Sequence, residues 1–401
     1  MHNQTVKTLD VFLSLSDFKR SFNVLCENNN MIKILAFLFN LLPVKKGKIV
    51  FKNFAKGYGC NPKYIAEEIL RQNLPYELVF VSKKNNGFPE KIEVVTSKIG
   101  TYYALSTANV IVANSRIGNY FLKGFKKKKN QLYIQTWHGS LGIKKMEGDC
   151  ENLSSSYLKQ AKADSQNIDC LLSNSKWLTT AFNSSFFYDG KIVETGNARN
   201  DIFFSNNQKT KEKVYKYFNL KKDVKICLYA PTFRDDKNLD CYALDYEELL
   251  KTLESKFGCG WVIISRLHPN ISKFQNIIPE IRGVYDGGKY PDIQELLFSA
   301  DTMITDYSSC IFDFMLSIKP AFVFATDIKK YNTDRGFYYP LETTPFPIAV
   351  NNEELVQNIA EFKQKPYQDA VKKFIKDKGC ADKGDAAKQC VNLIKKHIER
   401  I

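Results

Sequence analysis

Two histidines in this chain of 401 residues stand where a side chain can do acid–base chemistry. His138 follows the apolar run LYIQTW and precedes Gly139 and Ser140, whereas His268 follows WVIISRL and precedes Pro269. Imidazole is suited to moving a proton near neutral pH and also binds phosphate. Because one histidine lies in each half of the chain and each follows an apolar run, we predict that both belong to a functional site.

The second half also contains a candidate anion site. The run DTMITDYSSCIFDF (301–314) predicts a strand, a polar turn and a helix, with Ser308 or Ser309 at the helix N-cap. Free backbone N–H groups and the helix dipole favour an anion at that position. Thr305 adds a hydroxyl, and Arg266 ends a neighbouring predicted strand. The set predicts a pyrophosphate site, although an ordinary N-cap accounts for either serine alone.

Other charged residues follow predicted strands or glycine-containing turns. Lys144 lies in WHGSLGIKK, where two glycines let the backbone approach a ligand closely. Arg234 in YAPTFRDD and Arg335 in RGFY are candidate ligands of a phosphate or acidic group. Arg199 in GNARND either binds a phosphate or pairs with Asp201, and the pairing favours a structural role. The sequence has no P-loop and no His/Cys cluster with metal-ligand spacing.

From residue 48 onward, short β-branched and aromatic runs alternate with helical segments, which is typical of parallel strands covered on both faces. We predict an α/β fold of two Rossmann-like doubly wound domains, residues 1–195 and 196–401, facing each other across a cleft. The predicted strands are 48–52, 77–82, 91–96, 109–113, 132–137, 168–173, 191–195, 224–229, 261–267, 301–305 and 320–325. The predicted helices include 62–72, 175–185, 245–256, 292–300 and 309–317, with further helices over most of 352–364 and 367–399.

The charge balance favours anionic partners. Lys and Arg number 58 against 43 Asp and Glu, a net charge of +15, although a coding bias towards lysine gives the same excess. The apolar run Met31–Pro43 is shorter than the ~20 residues that span a bilayer. With the basic residues behind it, segment 31–48 is either an amphipathic helix on a membrane surface or a buried helix. No signal peptide precedes it, so we expect a cytoplasmic protein.

Seven motifs in a fixed order resemble one protein family. The motifs are FKNFAKGYGCNPKYIA (51–66), WHGS (137–140), GNARND (196–201), YAPTFRDD (229–236), RLHP (266–269), ITDYSS (304–309) and RGFY (335–338). Together they resemble the CDP-glycerol glycerophosphotransferases, the teichoic-acid primases and polymerases of bacterial envelopes, over most of the chain.

This resemblance implies a GT-B fold, a CDP-glycerol or other CDP-alditol donor, and peripheral attachment to the anionic inner face of the plasma membrane. It implies transfer of glycerol phosphate or ribitol phosphate to a hydroxyl of a lipid-linked glycan or phosphopolymer, with release of CMP. It makes His138 the expected general base and His268 a second catalytic residue. The expected donor-binding residues are Arg266, Thr305, Asp306, Ser308, Ser309, Arg234 and Arg335, and the expected acceptor or phosphate-binding residues are Gly139, Ser140, Lys144 and Arg199.

The chain departs from the family pattern at two places that concern the acceptor. The family commonly has Thr-Pro-Leu-Lys after WHG, where this chain has Ser140 and then LGIK, and it commonly has Pro where this chain has Ala198. We therefore expect a capsule or surface-glycan acceptor rather than a wall teichoic-acid linkage unit. Because cationic and hydroxyl donors already surround the expected pyrophosphate, we predict no cofactor and no obligatory metal.

Two other functions remain open. A GT-B glycosyltransferase with a sugar-nucleotide donor has the same fold and the same kind of pyrophosphate site. A non-enzymatic basic protein that binds nucleic acid or an acidic polymer fits the 13% aromatic content and the run Lys126–Lys129. The second alternative leaves the two strand-end histidines unexplained, and we expect no specific nucleic-acid partner.

Overall fold

The computed structural model describes residues 29–54, 57–234, 240–258, 260–267 and 278–400. A seven-stranded sheet with the order β3-β2-β1-β4-β5-β6-β7 forms the core of an N-terminal lobe, and all its strand pairs are parallel. Its strands are β1 Lys48–Lys52, β2 Glu77–Val81, β3 Ile92–Val95, β4 Val110–Ala113, β5 Leu132–Gln135, β6 Cys170–Ser173 and β7 Ile192–Glu194. The central strands β1 and β4 are buried along nearly their whole length, as their unbroken apolar sequences require.

A six-stranded parallel sheet with the order β10-β9-β8-β11-β12-β13 forms the core of a C-terminal lobe. Its strands are β8 Lys225–Tyr229, β9 Trp261–Ser265, β10 Val284–Asp286, β11 Thr302–Thr305, β12 Ala321–Phe324 and β13 Ile348–Ala349. The predicted α/β fold with two Rossmann-like sheets is confirmed. The sequence analysis missed the edge strands β10 and β13, which have only three and two residues.

Helices cover both sheets. In the N-terminal half they are α1 Asn29–Asn40, α2 Cys60–Arg71, α3 Lys98–Thr107, α4 Gly118–Leu122, α5 Ser155–Ser165 and α6 Lys176–Ser185. They continue with α7 Gln208–Tyr217, α8 Tyr246–Phe257, α9 Ile293–Ser299, α10 Cys310–Phe314, α11 Ile328–Arg335, α12 Asn352–Ala360, α13 Gln364–Asp377 and α14 Ala386–Arg400. No helix among these described residues is long and apolar enough to cross a bilayer.

The last helix returns to the N-terminal lobe. Cys390, Val391 and Ile394 of α14 share a buried cluster with residues of β1, β2 and α2. All C-terminal helices were assigned to the second domain from the sequence, but α14 packs against the N-terminal lobe. The predicted helical region 367–399 is also broken, because Gly379 and Gly384 adopt positive φ angles between α13 and α14.

Strand order creates one crevice in each sheet. The chain reverses its winding direction between β1 and β4 in the first sheet and between β8 and β11 in the second. Ligands of open parallel sheets bind at the carboxyl ends of strands beside such reversals. The residues after β1 and β4, and after β8 and β11, are therefore the candidates for binding and chemistry.

Candidate active site

His138 lies at the crevice of the N-terminal sheet. Its Nδ1 lies 2.6 Å from the backbone carbonyl oxygen of Asn114, the residue directly after β4. A carbonyl oxygen only accepts, so Nδ1 carries the proton and Nε2 keeps its lone pair. The ring of Phe54, two residues after β1, stacks on the imidazole with 4.6 Å between centroids. This tautomer suits a general base, because Nε2 is the nitrogen able to accept a proton.

The environment keeps His138 uncharged. Burial lowers the pKa of its imidazole to about 4, and the hydrogen bond to Asn114 opposes this effect only in part. The positive charge of Arg199 lowers the pKa further. At neutral pH the side chain is therefore a neutral proton acceptor.

The residue before His138 has a constrained backbone. Trp137 has a φ of 52°, in the left-handed region that bulky residues avoid. Its N–H donates to Gln135 Oε1 at 3.0 Å, and its carbonyl accepts from Asn61 Nδ2 at 3.2 Å. These bonds hold the chain in the conformation that turns His138 out of strand β5 towards the crevice.

A cleft of about 750 Å³ opens between the two lobes at this point. The N-terminal lobe supplies His138, Gly139, Ser140 and Lys144 to its wall. Across the cleft, the C-terminal lobe supplies Ser309 and the segment Gly336–Phe337, together with Thr333. The cleft thus brings together five of the predicted site residues from both halves of the chain, namely His138, Gly139, Ser140, Lys144 and Ser309.

The two lobes are joined by backbone pairing beside this cleft. Lys144 forms an antiparallel bridge with Phe337, and the flanking bonds run from Lys145 N–H to Gly336 O at 3.1 Å and from Tyr338 N–H to Ile143 O at 2.7 Å. The segment that carries Lys144 is therefore fixed against the RGFY motif of the other lobe.

Two neighbours of His138 are held by buried polar contacts. Ser140 is buried and its Oγ accepts a hydrogen bond from Asn174 at 2.9 Å. Arg199 does not pair with Asp201: its guanidinium binds Asp313 of α10 at 2.9 Å and donates to Gly139 O at 3.3 Å. Arg199 thus links the WHGS motif to the C-terminal lobe, and its predicted phosphate contact stays a prediction.

Three predicted donor-binding residues bind one another or the backbone behind the cleft. Thr305 is fully buried and its hydroxyl donates to Ala230 O at 2.6 Å. Asp306 accepts from Thr232 N–H at 2.8 Å and pairs with Arg234 at 2.8 Å. Burial opposes the charge of Arg234, but the carboxylates of Asp327 and Asp306 outweigh it and raise the pKa of the guanidinium. In the described structure these three residues frame the turn after β11.

Arg266 and the two serines are the other predicted donor-binding residues whose side chains the structure describes. Arg266 Nη1 donates to Gly287 O at 2.8 Å and to Tyr290 O at 2.7 Å, and burial lowers the pKa of the guanidinium. Ser309 is the N-cap of α10, without a side-chain cap bond, and Ser308 Oγ contacts the Cys310 thiol at 3.0 Å. Helix α10 has only five residues, so the predicted helix-dipole contribution is small.

Two predicted site residues are outside what the structure describes. His268 falls in the segment 268–277, and of Arg335 only the backbone of α11 is described. Their predicted roles in catalysis and donor binding therefore stay predictions.

The sequence analysis missed a charged network in the cleft wall. Glu147 accepts from Arg116 at 2.9 Å and from the Tyr157 hydroxyl, and Arg116 also binds Asp164 at 3.2 Å. It also missed Asn114, although the same strand-end rule that selected His138 applies to this residue after NVIVA. In the described parts of the chain, no group of three or more His, Cys, Asp or Glu residues is arranged to hold a metal ion.

Comparison with known proteins identifies the family. The family model for CDP-glycerol:poly(glycerophosphate) glycerophosphotransferase matches residues 34–396. The chain belongs to this family. A teichoic acid poly(glycerol phosphate) polymerase of Staphylococcus epidermidis is 32% identical over 100% of this chain and 57% of its own length. The Bacillus subtilis protein of the same name is 30% identical over 84% of this chain and 46% of its own length, so the chain spans about half of these two relatives.

Solved structures agree with this assignment. The structure of a single-substitution variant of the wall teichoic acid polymerase TagF has a TM-score of 0.82 and 30% identity, covering 97% of this chain and 99% of that chain. A TagF variant soaked with CDPG matches with the same TM-score, identity and coverage. The GT-B arrangement of two facing Rossmann-like lobes, expected from the motifs, is confirmed.

Proposed function

We propose that this glycerophosphotransferase family member transfers glycerol phosphate, or a related alditol phosphate, from a CDP-alditol to a hydroxyl of a teichoic-acid-like or membrane-linked glycan acceptor. The observation that carries the proposal is the tautomer of His138, whose Nε2 is left to accept a proton at a cleft walled by both lobes. The family assignment and the similarity to a TagF variant soaked with CDPG support the choice of donor.

The proposed reaction is an in-line displacement at phosphorus. His138 Nε2 takes the proton of the acceptor hydroxyl, and the oxygen forms a bond to the phosphorus that bears the alditol. The bond from that phosphorus to the bridging oxygen of the pyrophosphate breaks, and CMP leaves with the electron pair. Positioning and electrostatic stabilisation carry most of such a reaction. Arg266, His268 and Ser309 are the proposed contacts of the departing phosphate.

The first experiment measures CMP release by the purified protein. CDP-glycerol, CDP-ribitol and a panel of sugar nucleotides are each supplied with a lipid-linked glycan fraction. We expect release from a CDP-alditol only, and a loss of about 10²–10⁴-fold in His138→Asn, the range of general acid–base catalysis. Turnover of a sugar nucleotide instead would mean that the protein is a glycosyltransferase with the same fold. Absence of CDP-glycerol binding would refute the proposed donor.

We further propose that α1 docks on an anionic membrane surface. Ile32 and Ala36 are buried against the N-terminal lobe, whereas the opposite face is exposed, with Phe37 61% and Leu41 70% accessible. The buried-helix interpretation of segment 31–48 holds for one face of α1, and the exposed apolar face supports the proposed docking. The remaining exposed members of this face are Met31, Ile34 and Leu38, and the exposed lysines Lys45 and Lys46 follow the helix.

Vesicle sedimentation tests this docking. A helix with exposed apolar residues beside lysines binds anionic lipid through apolar burial and through charge attraction. Phosphatidylglycerol vesicles are therefore expected to retain more protein than phosphatidylcholine vesicles. The double variant Phe37→Ser and Leu41→Ser is expected to lose most binding. Phe204→Ser, which changes another exposed phenylalanine away from this face, serves as the control. Equal sedimentation of all three proteins would contradict the proposal.

A further inference from the structure

One residue, Asn114, fixes both the histidine and the ring that covers it. Its backbone carbonyl accepts from His138 Nδ1 at 2.6 Å. Its side-chain Oδ1 accepts from the Phe54 backbone N–H at 2.7 Å, and its Nδ2 donates to Asn53 Oδ1 at 2.8 Å. Asn53 in turn donates to Gly57 O at 2.9 Å. The loops after β1 and β4 are therefore joined around the imidazole.

The Phe54 ring lies outside the core and against the His138 imidazole. It is 60% exposed, whereas Phe51 on the preceding strand is fully buried and stacks on Phe80 in the core. Phe54 instead lies almost parallel to the His138 ring, with an interplanar angle of 6°. Leaving this much apolar surface in water forgoes burial that favours folding, so the core does not explain its placement.

We propose that Phe54 is a positioning residue for His138: its ring covers one face of the imidazole and, together with the Asn114 carbonyl, fixes the orientation in which Nε2 meets the acceptor hydroxyl. This inference rests on the proposed role of His138 as general base. The hydrogen bond to Asn114 restrains one ring nitrogen but leaves rotation about that bond. The Trp137 ring also contacts the imidazole, with 4.2 Å between centroids but an angle of 38°, whereas the parallel Phe54 ring matches the imidazole plane.

The stacked ring also excludes water from one imidazole face, which adds to the burial that holds the His138 pKa low. Among charged groups, Arg199 acts in the same direction. Among the residues that the structure describes, the other charged side chains on the elements around the imidazole or in the cleft wall are Lys52, Arg116, Lys144, Lys145, Glu147 and Glu151.

The test compares Phe54→Ala with Phe54→Tyr, which keeps an aromatic plane. The chain has four histidines, and His138→Gln identifies the His138 signal in proton NMR of histidine-labelled protein. We expect the wild-type and Phe54→Tyr imidazoles to remain neutral down to pH ~5, and the Phe54→Ala pKa to rise by about one unit or more towards its ordinary value. In Phe54→Ala we expect kcat to fall about 10-fold to 100-fold, with an unchanged KM for the CDP-alditol.

The controls separate this inference from the proposed function. Phe204→Ala removes another exposed ring and is expected to leave both the His138 signal and kcat unchanged. If Phe54→Ala titrates and turns over like the wild type, Phe54 has no positioning role while the proposed function stands. If no protein releases CMP, the proposed function fails, and the NMR titration still decides whether Phe54 controls His138.

Discussion

At the scale of single residues, the proposed base combines two properties that oppose each other. The low pKa keeps His138 neutral, so almost every molecule at pH 7 has Nε2 ready to accept a proton. The same low pKa makes the imidazole a weaker base than an ordinary histidine. A weak base contributes most when the hydroxyl and the phosphorus are already held in line. The burial of His138 therefore suits a reaction that depends mainly on positioning.

The pH dependence of the reaction follows from this pKa. Protonation of Nε2 removes the acceptor, so activity is lost as the pH falls through the pKa of His138, about 4, and not through the ordinary value near 6.5. We expect kcat/KM for the CDP-alditol to stay level on the acid side down to about pH 5. Initial rates in buffers from pH 4 to pH 8 measure this. A half-maximal rate near pH 6.5 would show that the imidazole is more hydrated than the structure indicates.

At the scale of elements, the docking of α14 depends on a contact with a distant part of the chain. The carboxylate of Asp201 accepts from the N–H groups of Ala386 and Ala387 at 3.0 Å and 2.8 Å. These are free donors of the first helical turn, which a side-chain oxygen caps. Asp201 therefore fixes where the final helix begins on the N-terminal lobe.

Asp201 makes folding stability depend on pH. Burial raises its pKa to about 6 against ~3.9 in the unfolded chain, although the two N–H bonds oppose the shift. The native state then binds the extra proton, so this contribution is complete below pH ~4 and is lost as the pH rises through 6. We expect the free energy of unfolding of Asp201→Asn to change less between pH 4 and pH 7 than that of the wild type, by about 1–3 kcal/mol.

Urea denaturation at several pH values measures this difference. Asp201→Ala removes the titrating group together with both capping bonds, so we expect it to lose the same pH dependence and to be about 1–2 kcal/mol less stable than Asp201→Asn. Asp369→Asn, which neutralises an exposed carboxylate of α13, is the control for charge alone. If Asp201→Asn keeps the pH dependence of the wild type, Asp201 is not the group that causes it.

The elements with a long apolar pattern were predictable from the sequence. Central strands such as β4 and β8 were predicted because unbroken apolar runs need two covered faces. The edge strands β10 and β13 carry too few residues to show a pattern. The position of α14 was not predictable, because its amphipathic sequence fits either lobe. Tertiary contacts decide it, namely the apolar cluster with β1, β2 and α2 and the bonds to Asp201.

The same division applies to the site. His138, Ser309 and Lys144 were predicted because each follows a strand or a glycine turn, which is a local signal. All three line the cleft, and their roles stay predictions. The partner of Arg199 was not, because Asp313 lies 114 residues away in the chain. Arg234 and Asp306 were predicted as donor-binding residues, but no local pattern indicates that they bind each other.

At the scale of the whole molecule, buried charges connect the two lobes away from the cleft. Lys63 of α2 donates to Asp292 at 2.7 Å and to Glu295 of α9 at 2.8 Å, and all three residues are buried. Burial disfavours the charged lysine, but these carboxylates outweigh it and raise the pKa of Lys63. Lys213 adds a second contact to Glu295 at 2.7 Å. The lobes are therefore held together by charge as well as by the backbone pairing near Lys144.

Replacing this lysine tests whether the lobes fold as one unit. Lys63→Met leaves the buried Asp292 and Glu295 without their shared cation, which is expected to cost about 3–5 kcal/mol. Lys365→Met removes a lysine from an exposed pair with Asp369, where the loss is expected to stay within about 1 kcal/mol. Urea denaturation followed by fluorescence measures both. If this ion pair couples the two lobes, Lys63→Met also splits or broadens the unfolding transition. Each lobe keeps its own core and then unfolds separately. A cost no larger than that of Lys365→Met would mean that water or protonation compensates the carboxylates and that the lobes are coupled mainly by the pairing beside the cleft.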